Sequence, residues 1–307
     1  MSDSILNSVH INFNEQSLWF LNSALALVMF GIALDISLLD FKELIKKPKP
    51  IFVGVMSQFV LLPLVTYVLV VLINPLPSIA LGMFMVAACP GGNISNFITH
   101  MAKGNSALSV CLTAIATLLA VFMTPLNLEF WSSLYPPTAT ILKEVAIEPI
   151  AMVKLVFLLL GVPLILGMLM NYYAPILAKK GAKILKIVSL VFFVALIGLA
   201  LYNNSAIFLD YVFYVFWIVM LHNLLAFTTG FSLARIFGLS LENTRAITIE
   251  TGIQNSGLGL LLIFTFFDGL GGMALLAAFW GIWHLVSGLI LASFWSSKEV
   301  IEKEELA

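Results

Sequence analysis

Residues 51–73 and 271–297 contain no Asp, Glu, Lys or Arg, and comparable apolar stretches recur along the whole 307-residue chain. About 20 helical residues cover the ~30 Å of bilayer hydrocarbon, so each stretch is a candidate crossing. A single soluble core cannot enclose so many of them. With 61% hydrophobic and 10% charged residues, the chain reads as an all-α polytopic membrane protein whose surroundings are the lipid bilayer. The net charge of −1 comes from 15 basic and 16 acidic residues, and no basic face is offered to nucleic acid.

Apolar runs punctuated by polar, Pro and Gly residues predict about nine transmembrane helices, at 17–36, 49–73, 78–102, 105–131, 149–175, 183–203, 210–236, 242–267 and 271–296. Lysine and arginine near span ends stay on the cytoplasmic side. Thirteen of the 15 basic residues agree on one topology, with the N-terminus outside and the C-terminus cytoplasmic; only Lys143 and Lys154 fall elsewhere. Residues 1–16 lack a basic start and an apolar stretch, so the first span is expected to serve as its own insertion signal. Residues 37–47 and 138–148 mix charged and apolar positions at helical spacing, which suits helices lying along the interface. Cys89 and Cys111 both fall in apolar segments and read as buried thiols.

Two spans carry helix-breaking polar clusters at membrane depth: Cys89-Pro90-Gly91-Gly92-Asn93-Ile94-Ser95-Asn96, and Glu250-Thr251-Gly252-Ile253-Gln254-Asn255-Ser256-Gly257. Proline removes a backbone donor and glycine permits unwound conformations, so both spans are expected to be discontinuous helices. Such backbone is tolerated only inside protein or beside water. Each cluster follows the start of a plain span, at residues 17 and 183, by a similar distance, and the intervening helix 149–175 reverses the second half. The two halves therefore read as inverted repeats. Paired interrupted helices at matching positions point to a transporter's binding site.

Glu250 is the one acidic residue well inside a span, and its burial requires a cation or a proton. Neutral oxygen ligands surround it in the sequence, the donors that hard cations prefer. Gln254 lies one helical turn away. Ser109 and Thr113, four apart, share a face of the fourth span, and Ser95 and Asn96 lie just past the first break. Hydroxyls on membrane helices also bond back to their own helix, which leaves open whether these four gather around an ion.

The strings CPGGNISNF, GNSALSV and IETGIQNSGLG, with WHLVSG near the end, resemble the bile acid/sodium symporter family, and the likeness covers nearly the whole chain. The resemblance implies a panel domain (about 17–36 and 149–203) and a core domain (about 49–131 and 210–296), with the two discontinuous helices crossing in the core. It implies alternating access and two transported sodium ions. One ion would be held by Ser95, Asn96, Ser109, Thr113 and Glu250. The other would be held by Gln58, Glu250 and Gln254 with the backbone carbonyls of Thr251 and Ile253, so that Glu250 bridges both. Asn93 and Leu285 depart from the residues expected beside the substrate.

Two sodium ions on one carboxylate leave a net positive charge, and half-helix N-termini near Asn93 and Asn255 add to it. An organic anion is the expected substrate, bile-acid-like or a small carboxylate such as pantoate, with Asn93, Asn255 and His284 beside it. Other readings use the same features differently. A cation/proton antiporter favours two facing titratable groups, whereas only Glu250 is so placed. An arsenite-efflux protein wants a thiolate near the crossing, for which Cys89 is the candidate. An intramembrane enzyme would pair Glu250 with His284, but no HExxH or nucleophile motif accompanies them.

Overall fold

The computed structural model describes residues 15–34, 36, 46, 48–92, 94–145, 148–185, 187, 188, 191 and 205–305. Among them the structure is helical, without strands: α1 (Glu15–Ala33), α2 (Pro48–Met56), α3 (Leu62–Ile73), α4 (Pro77–Ala88), α5 (Ile94–Met101), α6 (Ser106–Leu134), α7 (Pro136–Val145), α8 (Pro149–Val156), α9 (Val162–Tyr173), α10 (Ser205–Ile236), α11 (Leu241–Gly252), α12 (Ser256–Phe266) and α13 (Gly271–Glu305). Residues 175–185 are also helical. Among the described residues five stretches are long and apolar enough to cross a membrane: Pro48–Ile73, Ser106–Leu134, Ile150–Tyr173, Phe213–Ile236 and Gly271–Ser297. Large apolar side chains stand on the outside, with Leu72 76% and Phe122 66% exposed, a surface that needs lipid against it. The protein is an all-α, multi-pass membrane protein. The expected interfacial segment 37–47 and most of the expected span 183–203 lie outside the described residues. The segment 138–148 coincides with helix α7 for most of its length.

The two polar clusters interrupt their helices as the sequence requires. α4 and α5 have 12 and 8 residues, α11 and α12 have 12 and 11. At about 1.5 Å per residue none of these reaches across the hydrocarbon alone. α4 is enclosed, with every residue from Ser78 to Ala88 buried, and α12 is buried from Gly257 to Phe264. Small residues let the backbones approach: a Cβ on Gly82 would lie 3.0 Å from the Cα of Met273 in α13. α1 packs on α9 in the same manner, where a Cβ on Gly167 would come 2.4 Å from that of Ala33.

A feature absent from the sequence reading is a π-helical turn inside two crossings, Ser57–Leu61 between α2 and α3 and Phe157–Gly161 between α8 and α9. Each is followed by a proline, Pro63 or Pro163. Proline has no N–H and its ring crowds the carbonyl four residues back, and a widened turn relieves that crowding. The carbonyl four residues before Pro63, that of Phe59, accepts instead from Asn127 Nδ2 of α6 at 3.1 Å.

Candidate functional site

The two interrupted crossings meet at their breaks. Gly91 and Gln254 form an antiparallel bridge, with Gly92 N donating to Ile253 O at 2.6 Å and Asn255 N donating to Pro90 O at 2.9 Å. Unwinding leaves carbonyls without helical partners, and in a bilayer each must find another. At the first break, Ala88 O accepts from Thr124 Oγ1, Cys89 O from Gln58 Nε2 at 2.8 Å, and Gly92 O from Ser95 N. At the second, Thr251 O accepts from Gln254 Nε2 at 2.7 Å, Gly252 O from Asn223 Nδ2 at 2.7 Å, and Gln254 O from Ser256 N at 2.9 Å. Asn255 caps α12, its side-chain oxygen accepting from Leu258 N at 3.0 Å. These partners hold the shape of both breaks.

α11 is a polar helix in the protein interior: every residue from Thr244 to Gly252 is buried, Arg245 and Glu250 included. Arg245 Nη1 donates to the carbonyl of Ala102 at 3.0 Å and lies 3.4 Å from that of Lys103, tying the end of α5 to α11. Asn105 strengthens the tie, its N–H donating to Glu242 O at 3.0 Å and its Nδ2 to Asn243 Oδ1 at 2.8 Å.

Glu250 is 3% exposed and points at the crossing rather than at lipid. Its carboxylate accepts from Ser95 Oγ at 2.5 Å and Thr113 Oγ1 at 2.8 Å, with Ser109 Oγ at 3.5 Å. Asn96 Oδ1 joins the group, 2.8 Å from Ser109 Oγ and 3.2 Å from Thr113 Oγ1. Thr113 also lies 3.0 Å from the carbonyl of Ser109, so the back-bonding tendency of membrane hydroxyls coexists with the shared site. Four residues from α5 and α6 therefore gather around the one charge that α11 carries at the crossing. Gly91 makes the convergence possible: a Cβ there would sit 2.2 Å from Glu250 Oε1.

A second polar set lies on the other side of the break. Gln58 Nε2 donates to Gln254 Oε1 at 2.8 Å, and Gln254 Nε2 lies 3.3 Å from Gln58 Oε1. The π turn holds Gln58 there, with Ser57 beside it, whose hydroxyl is 2.8 Å from that of Thr251. The carbonyls of Thr251 and Ile253 already accept from Gln254 and Gly92, and each keeps a second lone pair. No hydrogen bond joins Glu250 to this second set. Among the described residues no group of three or more His, Cys, Asp or Glu could hold a metal ion. The crossing offers hydroxyl, amide and carbonyl oxygens around one carboxylate, a donor set for a hard monovalent cation rather than a transition metal.

Of the expected substrate residues, Asn93 lies outside the described residues. Asn255 sits at the break, with its oxygen engaged in capping. His284 is 5% exposed on α13, and its Nδ1 is buried without a hydrogen-bond partner. His222 belongs to the packing of α10: its Nε2 is 2.7 Å from Thr66 Oγ1 and its ring meets Trp280 edge-on. The sequence reading missed Ser57, the carbonyl of Cys89, Gly91 as the neighbour of Glu250, and the Asn223–Ser287 pair. His222-Asn223, a polar pair in the apolar span 210–236, reads in the sequence as a brace of the core, and nothing there points Asn223 to Ser287.

The family model for the Sodium Bile acid symporter family matches residues 23–210. The chain is 34% identical over 274 residues to an uncharacterized sodium-dependent transporter, YocS, of Bacillus subtilis, covering 89% of this chain and 82% of that one. It is 31% identical over 273 residues to a probable chloroplastic sodium/metabolite cotransporter of Arabidopsis thaliana, covering 88% of this chain and 65% of the relative. It is 33% identical over 237 residues to the ileal sodium/bile acid cotransporter of Homo sapiens, covering 76% and 66%. The chain thus spans about two thirds of the length of the plant and human relatives.

Proposed function

The chain belongs to the sodium bile acid symporter family, and from that premise we propose that it is a sodium-coupled symporter of an organic anion working by alternating access. The observation that carries the reading is the convergence of Ser95, Asn96, Ser109 and Thr113 on the buried carboxylate of Glu250 at the crossing of two broken helices. One sodium ion binds in this set. A second binds between Gln58, Gln254 and the carbonyls of Thr251 and Ile253. For Glu250 to serve both ions its carboxylate must reach past Gly91, where any Cβ would come 2.2 Å from its Oε1.

Sodium binding requires the three hydroxyls to turn. Ser95 and Thr113 donate to the carboxylate at 2.5 and 2.8 Å, and the Ser109 hydroxyl donates to Asn96 Oδ1 at 2.8 Å; each hydroxyl is both donor and acceptor, so on ion entry each presents a lone pair to the cation. Two ions on one carboxylate leave a net positive charge. The N-terminus of α12 adds positive potential beside it, so an anion binds best after sodium. Each partner then raises the affinity of the other, which is the thermodynamic content of coupling.

The substrate is an organic anion, bile-acid-like or a small carboxylate such as pantoate, held near Asn93, Asn255 and His284. The segments 17–36 and 149–203 form a panel against which the core, 49–131 and 210–296, moves; the close α1–α9 packing supports the panel pairing. Nine crossings with the N-terminus outside place the ends of α5 and α10 on the cytoplasmic side. The test is uptake into proteoliposomes of radiolabelled organic anions, a bile acid and pantoate among them, under an inward sodium gradient. Uptake rises with sodium and rises again with an inside-negative potential, because one net positive charge per cycle contributes about 2.3 kcal/mol per 100 mV. If sodium stimulates the uptake of no organic anion, the reading fails.

A further inference from the structure

Of the four consecutive carbonyls from Thr251 to Gln254, only that of Gly252 is served from outside the two broken crossings. In an uninterrupted helix it would accept from Ser256 N, which bonds instead to Gln254 O at 2.9 Å. Its donor is Asn223 Nδ2 of α10 at 2.7 Å, and Asn223 Oδ1 in turn accepts from Ser287 Oγ of α13 at 2.6 Å. A carbonyl can only accept, so the amide must turn its NH2 to Gly252 and its oxygen to Ser287, whose hydroxyl donates. Asn223 is 1% exposed, so its amide is shielded from bulk water. The relay has one polarity, from α13 through α10 to the break, and each bond strengthens the next.

Packing seats the same peptide. A Cβ on Gly252 would come 2.1 Å from the ring of Phe227, one turn beyond Asn223 on α10. The backbone at Ile253 is extended, with φ −113 and ψ 101, so successive carbonyls point to opposite sides. Anchoring Gly252 O towards α10 therefore turns Ile253 O to the crossing, where it meets Gly92 N at 2.6 Å. Without the relay the freed Gly252 carbonyl is an unpaired acceptor in the protein interior, and the peptide rotates to satisfy it.

We propose that Asn223 and Ser287 are positioning residues of the second cation site, holding the Gly252–Ile253 peptide so that the carbonyls of Thr251 and Ile253 face the Gln58–Gln254 pair. This rests on the two-ion sodium reading above. It also gives α13, which carries His284 one turn before Ser287, a direct mechanical connection to the ion site; the Ser287 hydroxyl lies 3.3 Å from the His284 carbonyl as well.

The test is a 22Na+ binding isotherm on the purified full chain, run beside thermal unfolding without sodium. Asn223→Leu keeps the branched shape and removes both bonds; Ser287→Ala leaves the bond to Gly252 in place and removes only its orienting donor; Ser287→Thr keeps the hydroxyl. Outer partners of metal ligands typically change affinity about 10–100-fold. Asn223→Leu is expected to raise the half-saturating concentration of one of two ions by that factor, while the other ion still binds and loses only the part of its affinity that came from cooperativity. Ser287→Ala shifts it in the same direction by less, Ser287→Thr restores it, and Ser287→Ala carries the test if Asn223→Leu does not fold. Lowered thermal stability with unchanged isotherms means that the relay is merely structural and overturns the proposal. A wild-type isotherm showing fewer than two ions overturns the two-ion reading, and the relay's role with it.

Discussion

Replacing Glu250 by Gln removes one charge and almost no volume from the crossing. The hydrogen bonds survive the change, because Ser95 at 2.5 Å and Thr113 at 2.8 Å can rotate to accept from an amide as readily as they donate to a carboxylate. A buried charge without its counter-ion carries a desolvation penalty of several kcal/mol. The sodium-free variant is therefore expected to unfold at the same temperature as the wild type or higher. Sodium binding responds oppositely. At about 4 Å and an effective dielectric of about 20, the lost attraction is ~4 kcal/mol, or roughly a thousandfold in affinity. Sodium at about 100 times its dissociation constant stabilises the wild type by ~2.7 kcal/mol; after a thousandfold loss the same concentration contributes below about 0.1 kcal/mol. Thermal unfolding with and without sodium, with potassium replacing it, reads this difference without any knowledge of the organic substrate. A Glu250→Gln protein that sodium stabilises as much as the wild type refutes the assignment of the ion to this carboxylate.

Gly91→Ala places a methyl group 2.2 Å from Glu250 Oε1; the carboxylate must move, and sodium affinity measured by 22Na+ binding is expected to fall at least tenfold while the protein remains folded. Gln58→Ala strips donors from the carbonyl of Cys89 and from Gln254, leaving buried acceptors whose desolvation costs about 1–3 kcal/mol; a lower unfolding temperature and loss of cooperative sodium binding are expected together. Arg245→Met removes the bond from α11 to the Ala102 carbonyl at the end of α5, and hydrogen exchange should accelerate at Ala102–Asn105 before it changes in α6. For topology, a thiol introduced by Lys143→Cys in a Cys89→Ser, Cys111→Ser background is expected to react with an impermeant reagent from outside intact cells, and one introduced by Lys179→Cys only after permeabilisation.

Much of the candidate site could be read from residue chemistry alone. Pro90-Gly91-Gly92 cannot continue a helix at full strength, and Glu250 cannot sit alone at membrane depth, so a break and a buried carboxylate site were both legible. The grouping of Ser95, Asn96, Ser109 and Thr113 was half legible: helical spacing puts Ser109 and Thr113 on one face, but only the docking of α5 and α6 against α11 turns that face to Glu250. Gln58 carried no such signal. It sits in what reads as a continuous apolar helix, and its aim depends on the π turn that relieves Pro63. Asn223 and Ser287 were harder still, since their value lies in a carbonyl 29 residues away from Asn223 and in a pairing across 64 residues.

What the sequence determined by itself is what short-range chemistry can enforce: apolar runs that must lie in lipid, prolines and glycines that interrupt two helices, and a charge that needs a partner. These follow from solvation and from backbone donors present or missing, whatever the neighbours. Which oxygen meets which hydrogen was decided only in the tertiary structure. A freed carbonyl specifies that it needs a donor within about 3 Å, and many residues qualify until packing brings Thr124, Gln58, Gly92 or Asn223 to the spot. Hydrogen bonds act over ångströms, whereas the sequence separations that supply them here reach 196 residues, between Gln58 and Gln254; only the helix docking joins the two scales.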